Sequence, residues 1–159
     1  MHRRPGARAP AVLSMAGVES TAAHGTLPFR VEAIEFLGPD VMRLFLSPAQ
    51  DRPLRFRAGQ YVEVATPGGL RRSLSIANAP GPREVLELHV RRVRGGEFSD
   101  FVFNGLRPGQ LVPVSGPYGG FFLREASCRP VILMAGGTGF DPIKGIVEHA
   151  LARGIDRPI

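Results

Sequence analysis

From residue 27 onward, hydrophobic and polar positions alternate with a period of two in a series of short runs, each closed by Gly or Pro. Phe29 to Leu37 and Val41 to Ser47 flank Gly38-Pro39-Asp40, and Tyr61 to Thr66 and Arg71 to Ala77 flank Pro67-Gly68-Gly69. Both breaks are turn sequences, because Pro presets φ and Gly tolerates positive φ. Between Val85 and Val93, Leu86, Leu88 and Val90 fall on one strand face and Glu87, His89 and Arg91 on the other. Leu111 to Ser115 and Phe121 to Arg124 read as further strands. Closely spaced strands joined by such turns predict a small antiparallel barrel or sandwich.

Two stretches break that period. Phe98, Phe101, Val102 and Gly105 recur at three- and four-residue spacing, which predicts a short helix with Ser99 near its start. Further on, Val131-Ile132-Leu133-Met134-Ala135 is continuously apolar, as expected of a parallel strand buried on both faces. It enters Gly136-Gly137-Thr138-Gly139-Phe140 and then a helix with Asp141 as N-cap and Pro142 at the first helical position. Ile143, Ile146, Val147, Ala150 and Leu151 form its apolar stripe, and Gly154 ends it. Strand, glycine loop and helix together are the opening unit of a doubly wound nucleotide-binding domain. A second parallel strand is expected to begin at Arg157-Pro158-Ile159, where the chain stops. Without it, Val131 to Ala135 is expected to leave an apolar patch exposed and to favour self-association.

Composition narrows the function classes. The formal charge is +6, but Arg3, Arg4 and Arg8 lie in an acid-free first 18 residues, leaving 17 basic against 14 acidic residues. That excess is too mild for nucleic acid, and no aromatic–basic platform accompanies it. No apolar run approaches the ~20 residues of a membrane span, so no membrane segment is expected and the location is read as cytoplasmic. Cys128 is the only cysteine, which excludes an internal disulfide and an iron–sulfur cluster held by about four protein ligands. Residues 1–26, rich in Ala, Arg, Gly and Pro, read as a disordered arm. His2, His24 and His149 show no ligand spacing, and no metal site is assigned.

The candidate chemistry lies between Arg71 and Leu123. Arg72-Ser73-Leu74-Ser75 offers a cation, two hydroxyls and an apolar contact on one strand, with Arg72 and Leu74 on one face and Ser73 and Ser75 on the other. That set suits a ligand with a phosphate and a flat polar ring, such as a flavin nucleotide; it also suits an ordinary amphipathic strand. Leu88 to Ser99 combines a basic strand end, the pair Gly95-Gly96 and a helix start. Backbone N–H groups at such a start point at an anion, and glycines admit a phosphate closely. A solvated Arg-rich strand ending in a flexible turn would read the same way.

Taken in order, Gly59-Gln60-Tyr61, Arg72 to Asn78, Glu87 to Arg92, Gly95 to Ser99, Gly116-Pro117-Tyr118-Gly119 and Ala135 to Pro142 resemble the landmarks of the ferredoxin–NADP reductase superfamily. The likeness covers about Phe29 to Ile159 and lies nearest the reductases of iron–sulfur oxygenases and of CDP-6-deoxy-glucoseen reduction. It implies a six-stranded antiparallel Greek-key β barrel with a short helix at 27–125, binding FAD. It also implies the first strand and helix of a truncated α/β NAD(P)-binding domain at 129–159. By the same resemblance Arg72 contacts the flavin phosphates, with Ser73 and Leu74 beside it, and Ser75 offers its hydroxyl near the reactive ring nitrogen. His89, Val90 and Arg91 border the ring and ribityl chain. Gly95, Gly96, Phe98 and Ser99 hold the pyrophosphate region through backbone N–H groups. Gly136, Gly137, Thr138 and Gly139 form the nucleotide loop, with Thr138 where nicotinamide meets flavin; Ser75 and Thr138 are thus the implied catalytic positions.

The implied activity is electron transfer from NAD(P)H through FAD to an iron–sulfur or other acceptor protein, with a second chain as one means of completing the nucleotide domain. The alternative is a catalytically incompetent flavin-binding or scaffold barrel that docks a partner. Three departures from the family pattern stand out. Leu74 replaces the usual Tyr or Phe and gives up ring stacking worth ~0.5–1.5 kcal/mol. Asp141 replaces a small apolar residue and is expected to repel a dinucleotide phosphate. Most of the nucleotide domain is missing, and Cys128 does not match the family's cysteine near the nicotinamide.

Overall fold

The computed structural model describes residues 25–159; the arm expected at residues 1–26 lies outside them except for its last two positions. Six strands form one antiparallel sheet: β1 (Leu27–Gly38), β2 (Val41–Pro48), β3 (Tyr61–Ala65), β4 (Arg71–Ser75), β5 (Leu86–Arg91) and β6 (Leu111–Tyr118). The order β4-β3-β6-β1-β2-β5 places β6 between β3 and β1, so the chain crosses over as expected. The edge strands β4 and β5 form no ladder. They meet at a single bridge between Ile76 and Leu88, where the Ala77 N–H donates to the Glu87 carbonyl at 2.8 Å. The sheet thus curls into a barrel that hydrogen bonding does not close.

Alternation builds the interior. Phe29 and Val31 from β1, Leu44 and Leu46 from β2, Val62 from β3, and Leu86 and Leu88 from β5 are buried to within 1% exposure. Phe98, Val102 and Leu106 join the same core from a helical segment made of α1 (Glu97–Asp100) and a wide π turn at Phe101–Gly105. The π geometry appears in the Leu106 N–H, which reaches back five residues to the Phe101 carbonyl at 2.9 Å.

The last third departs most from the alternation pattern. Phe121 to Arg124 is not a strand: it runs as a linker with no neighbour to pair with, and Phe122 lies under the Arg57 guanidinium at 4.4 Å. Val131 to Ala135 is extended but not a buried strand. One backbone bond, from the Val131 N–H to the Pro158 carbonyl at 2.9 Å, joins it to the segment expected to pair with it. With no sheet on either side, Ile132 and Met134 are 89% and 88% exposed, the exposed patch that the apolar run foretold.

Helix α2 (Phe140–Ala152) does form. Its start differs from the expected cap: a 3-10 turn at Gly137–Gly139 feeds into it, Gly139 is the N-cap, and Asp141 makes no capping bond. Its end follows expectation, with Gly154 at φ +60° and its N–H bonded to the Leu151 carbonyl at 3.1 Å. Ile143, Ile146 and Ala150 are buried, whereas Leu151, placed in the apolar stripe, is exposed because α2 seats on the barrel along a narrower face. Gly145 defines that face. A Cβ there would stand 2.9 Å from the Asn78 carbonyl oxygen, so only glycine permits the approach. Among the described residues no helix is long and apolar enough to cross a membrane.

Candidate functional site

Strand β4 sets the first wall of the site. Leu74 pairs with Val62 and Arg72 with Val64 across β3, so both side chains lie on the face of the buried valines at the open seam beside β5. Seen from that seam, a cleft of about 280 Å³ lies between β4, the end of β5 and the start of α1. Arg72, Ser73 and Leu74 line it from β4, and His89, Val90 and Arg91 from β5. Gly96, Phe98 and Ser99 close it from the α1 side, and Thr138 stands at its mouth. Most of the residues singled out from sequence therefore share one cleft.

Its electrostatics favour an anion. Arg72 and Arg91 are exposed, and neither belongs to an ion pair among the described residues. The Arg72 Nη1 donates only to the neighbouring Arg71 carbonyl, at 2.8 Å. At the α1 start, Gly95 takes φ +67°, which turns the chain sharply enough for the helix to begin at Glu97. The first N–H groups of a helix have no partner within it, and no side-chain cap satisfies them here. The Ser99 hydroxyl faces inward, accepting from the Val93 N–H at 3.1 Å and lying 2.9 Å from the Gly96 carbonyl. Ser99 therefore braces the turn, and its backbone amide is what it offers a ligand.

Several expected positions lie outside the cleft or make further contacts within the protein. The Gly96 N–H is not free: it donates to the Val93 carbonyl at 3.0 Å, closing the turn beneath the cleft. Ser75 pairs with Tyr61 outside the cleft lining. Gly95 opens onto a neighbouring hollow lined by Arg91, Arg92 and Arg94 and by Asp40 and Asp100. Gly137 lines an adjoining groove beside Phe140 and Lys144, and Gly136 and Gly139 carry the 3-10 turn. His89 lines the cleft, yet both ring nitrogens are occupied, Nδ1 by Asp141 at 2.6 Å and Nε2 by Glu87 at 2.9 Å. It has no nitrogen left for a ligand.

The polar face of β5 was the least legible feature. Glu87 and His89 fall on the polar face of the alternating strand, but α2 covers them to 6% and 8% exposure. Lys144 of α2 reaches Glu87 Oε2 at 2.8 Å and the Ala77 carbonyl at 3.1 Å, and Arg43 of β2 lies 3.7 Å from Glu87. Burial alone would raise the Glu87 carboxyl, but hydrogen bonds from His89 and Lys144 outweigh it and hold the group at about 2. Burial likewise opposes charge on His89, and its bonds to Asp141 and Glu87 overcome that and raise it to about 9. Asn78, the end of a sequence landmark, braces the same corner. Its side chain accepts from the Glu87 N–H at 2.8 Å and donates to the Val85 carbonyl at 2.9 Å, holding the β4–β5 connection closed.

Comparison with known proteins matches this architecture. Residues 28–123 match the oxidoreductase FAD-binding domain family, and the chain belongs to that family. It is 42% identical over 134 residues to a CDP-6-deoxy-L-threo-D-glycero-4-hexulose-3-dehydrase reductase of Yersinia pestis, covering 84% of this chain and 40% of that protein. It is 44% identical over 154 residues to the reductase subunit of an aromatic O-demethylase from an Amycolatopsis species, covering 89% of this chain and 46% of that one. Among solved structures, phthalate dioxygenase reductase superposes with a TM-score of 0.75 at 30% identity, over 84% of this chain and 42% of that one. The chain thus spans less than half the length of these relatives.

The residues of the cleft fit FAD. Two unpaired guanidinium groups and uncapped helix amides are of the kind that would meet the charge of a diphosphate. Leu74 and Val90 supply flat apolar contact, and no carboxylate lines the cleft.

Proposed function

We propose that this chain is the flavin-binding part of an NAD(P)H-dependent reductase that passes electrons through FAD to an iron–sulfur or other acceptor protein. The observation that carries the reading is the convergence of Arg72, Arg91 and the start of α1 on one cleft beside Leu74 and Val90. FAD, when bound, supplies the exchange between a two-electron hydride donor and one-electron acceptors. The chain's residues supply placement. Arg72 and the amides of residues 97–99 would bind the diphosphate, and Leu74 would lie against the ring. Thr138 would face the ring at the side where a nicotinamide arrives. The relatives named as reductase components of oxygenase and dehydrase systems support an acceptor of that kind.

The test is reconstitution. The full chain, incubated with FAD and desalted, is expected to retain a flavin absorbance spectrum, and a colourless protein would overturn the assignment. Added NADH or NADPH, with an artificial electron acceptor, then separates two readings. Acceptor reduction supports a competent reductase. Flavin retention without reduction supports a flavin-binding barrel that docks a partner, a reading that the exposed Ile132 and Met134 favour.

A further inference from the structure

The charges buried beneath α2 take no part in holding the diphosphate, yet one of them, His89, lines the cleft. Asp141 is 3% exposed and, although it lies in the first turn of α2, makes no bond to its own helix. Its carboxylate turns sideways to His89 Nδ1, while Glu87 takes Nε2. Ionised carboxylates only accept hydrogen bonds, so the imidazole between them carries a proton on each nitrogen. The charged groups around that ring are Glu87 and, at the exposed strand end, Arg91 from β5, Arg43 from β2, and Asp141 and Lys144 from α2. Asp40 in the β1–β2 turn lines the same groove. Losing one partner of such a buried pair leaves an uncompensated charge.

The neighbouring glycine turn lies directly before this contact in the chain. The Gly139 N–H donates to the Gly136 carbonyl at 3.1 Å, and the Phe140 N–H donates to the carbonyls of Gly137 and Thr138. Those bonds hold the turn to itself. Among the described hydrogen bonds, none ties residues 136–140 directly to the barrel; the first anchor after them is Asp141 to His89, and Lys144 follows. Thr138 and His89 nonetheless line the same cleft.

We propose that Asp141 is a positioning residue: through its bond to His89 it pins the Gly136–Phe140 turn to β5 and so stands Thr138 at the mouth of the cleft. The functional meaning of that placement rests on the flavin reading above, while the pin belongs to the protein without cofactor. Because His89 keeps its charge up to about 9, the ring donates to both carboxylates through neutral pH; above that it keeps a single N–H shared between Asp141 and Glu87, and the pin weakens.

Amide hydrogen exchange by NMR on the full chain without FAD tests this. In Asp141→Ala at about pH 7, protection factors at Gly139 and Phe140 are expected to fall roughly tenfold or more, with Val31 and Leu44 of the barrel unchanged. The wild type is expected to show a smaller local fall as pH rises through about 9, because the neutral ring keeps one N–H. Asp141→Asn keeps the shape but lacks the charge, so its fall moves to lower pH, whereas a merely structural contact would show no pH step. Unchanged protection at Gly139 and Phe140 in Asp141→Ala, or an equal loss at Val31 and Leu44, would overturn the proposal. Should the variants not fold, wild-type protection that stays flat across the His89 titration overturns it alone. A protein that shows the local fall yet binds no FAD would keep the pin and defeat only the flavin reading.

Discussion

Replacing Gly145 with Val probes whether α2 is seated on the barrel as described. An added Cβ would stand 2.9 Å and 3.2 Å from the carbonyl oxygen and carbon of Asn78 and 3.3 Å from the Ile76 carbonyl oxygen. All three are backbone atoms, and the Asn78 side chain ties that stretch to Val85 and Glu87, so the helix itself must move. Helix propensity works in the other direction, since Val is better than Gly in a helix interior by about 0.3–0.5 kcal/mol. Overpacking a close contact costs about 1–3 kcal/mol, so the clash wins and the net loss is about 0.5–2.7 kcal/mol. For a chain of this size that lowers Tm by roughly 1–11 °C, measured by circular dichroism. Leu151→Ala, at a position 76% exposed on the same helix, serves as control and is expected to stay within about 0.5 kcal/mol of wild type. A Gly145→Val protein as stable as wild type, or more so, would show that propensity governs the site and that α2 does not rest on Asn78.

Three further outcomes follow from the same geometry. Glu87, held at about 2 against an ordinary 4.5, adds stability that is complete above 4.5 and lost as pH falls toward 2. His89, raised from 6.5 to about 9, adds stability complete below 6.5 and lost as pH rises through 9. Thermal midpoints should therefore plateau between about 4.5 and 6.5 and decline on both sides, and Glu87→Gln should flatten both limbs because the two groups share one contact. Leu74→Tyr is expected to tighten FAD binding by roughly 2- to 10-fold through ring stacking; fluorescence titration checks it, and weaker binding would place the ring elsewhere. Ile132→Asp together with Met134→Asp should reduce self-association in light scattering without moving Tm, because neither side chain is buried.

The barrel was legible because its strands alternate and its turns carry Gly and Pro; even the helix over residues 97–105 showed in the spacing of Phe98, Phe101 and Val102. Where alternation misled, the cause was tertiary. Glu87 and His89 fall on the polar face of β5, and nothing local reveals that α2, more than fifty residues later, covers that face with Asp141 and Lys144. Asp141 looked like a cap because acidic residues favour helix starts, but a buried imidazolium is the stronger partner. Val131 to Ala135 has the composition of a central strand, and composition cannot supply the neighbours that make one. Of the site, Arg72, Leu74, Val90, Arg91 and Thr138 were readable from motif order. The inward turn of Ser99 and the engaged amide of Gly96 needed coordinates, since both depend on how the Val93–Ser99 turn closes on itself.

In the function proposed above, the cleft between β4, β5 and α1 receives the diphosphate of FAD. Its most direct test is the FAD dissociation constant of the full chain and of Arg72→Ala, by fluorescence titration at fixed ionic strength. A hydrogen bond between charged groups contributes about 1.5–3 kcal/mol, so the variant should bind roughly 10- to 100-fold more weakly, with Tm unchanged because the side chain is exposed. Equal dissociation constants for the two proteins would contradict the claim.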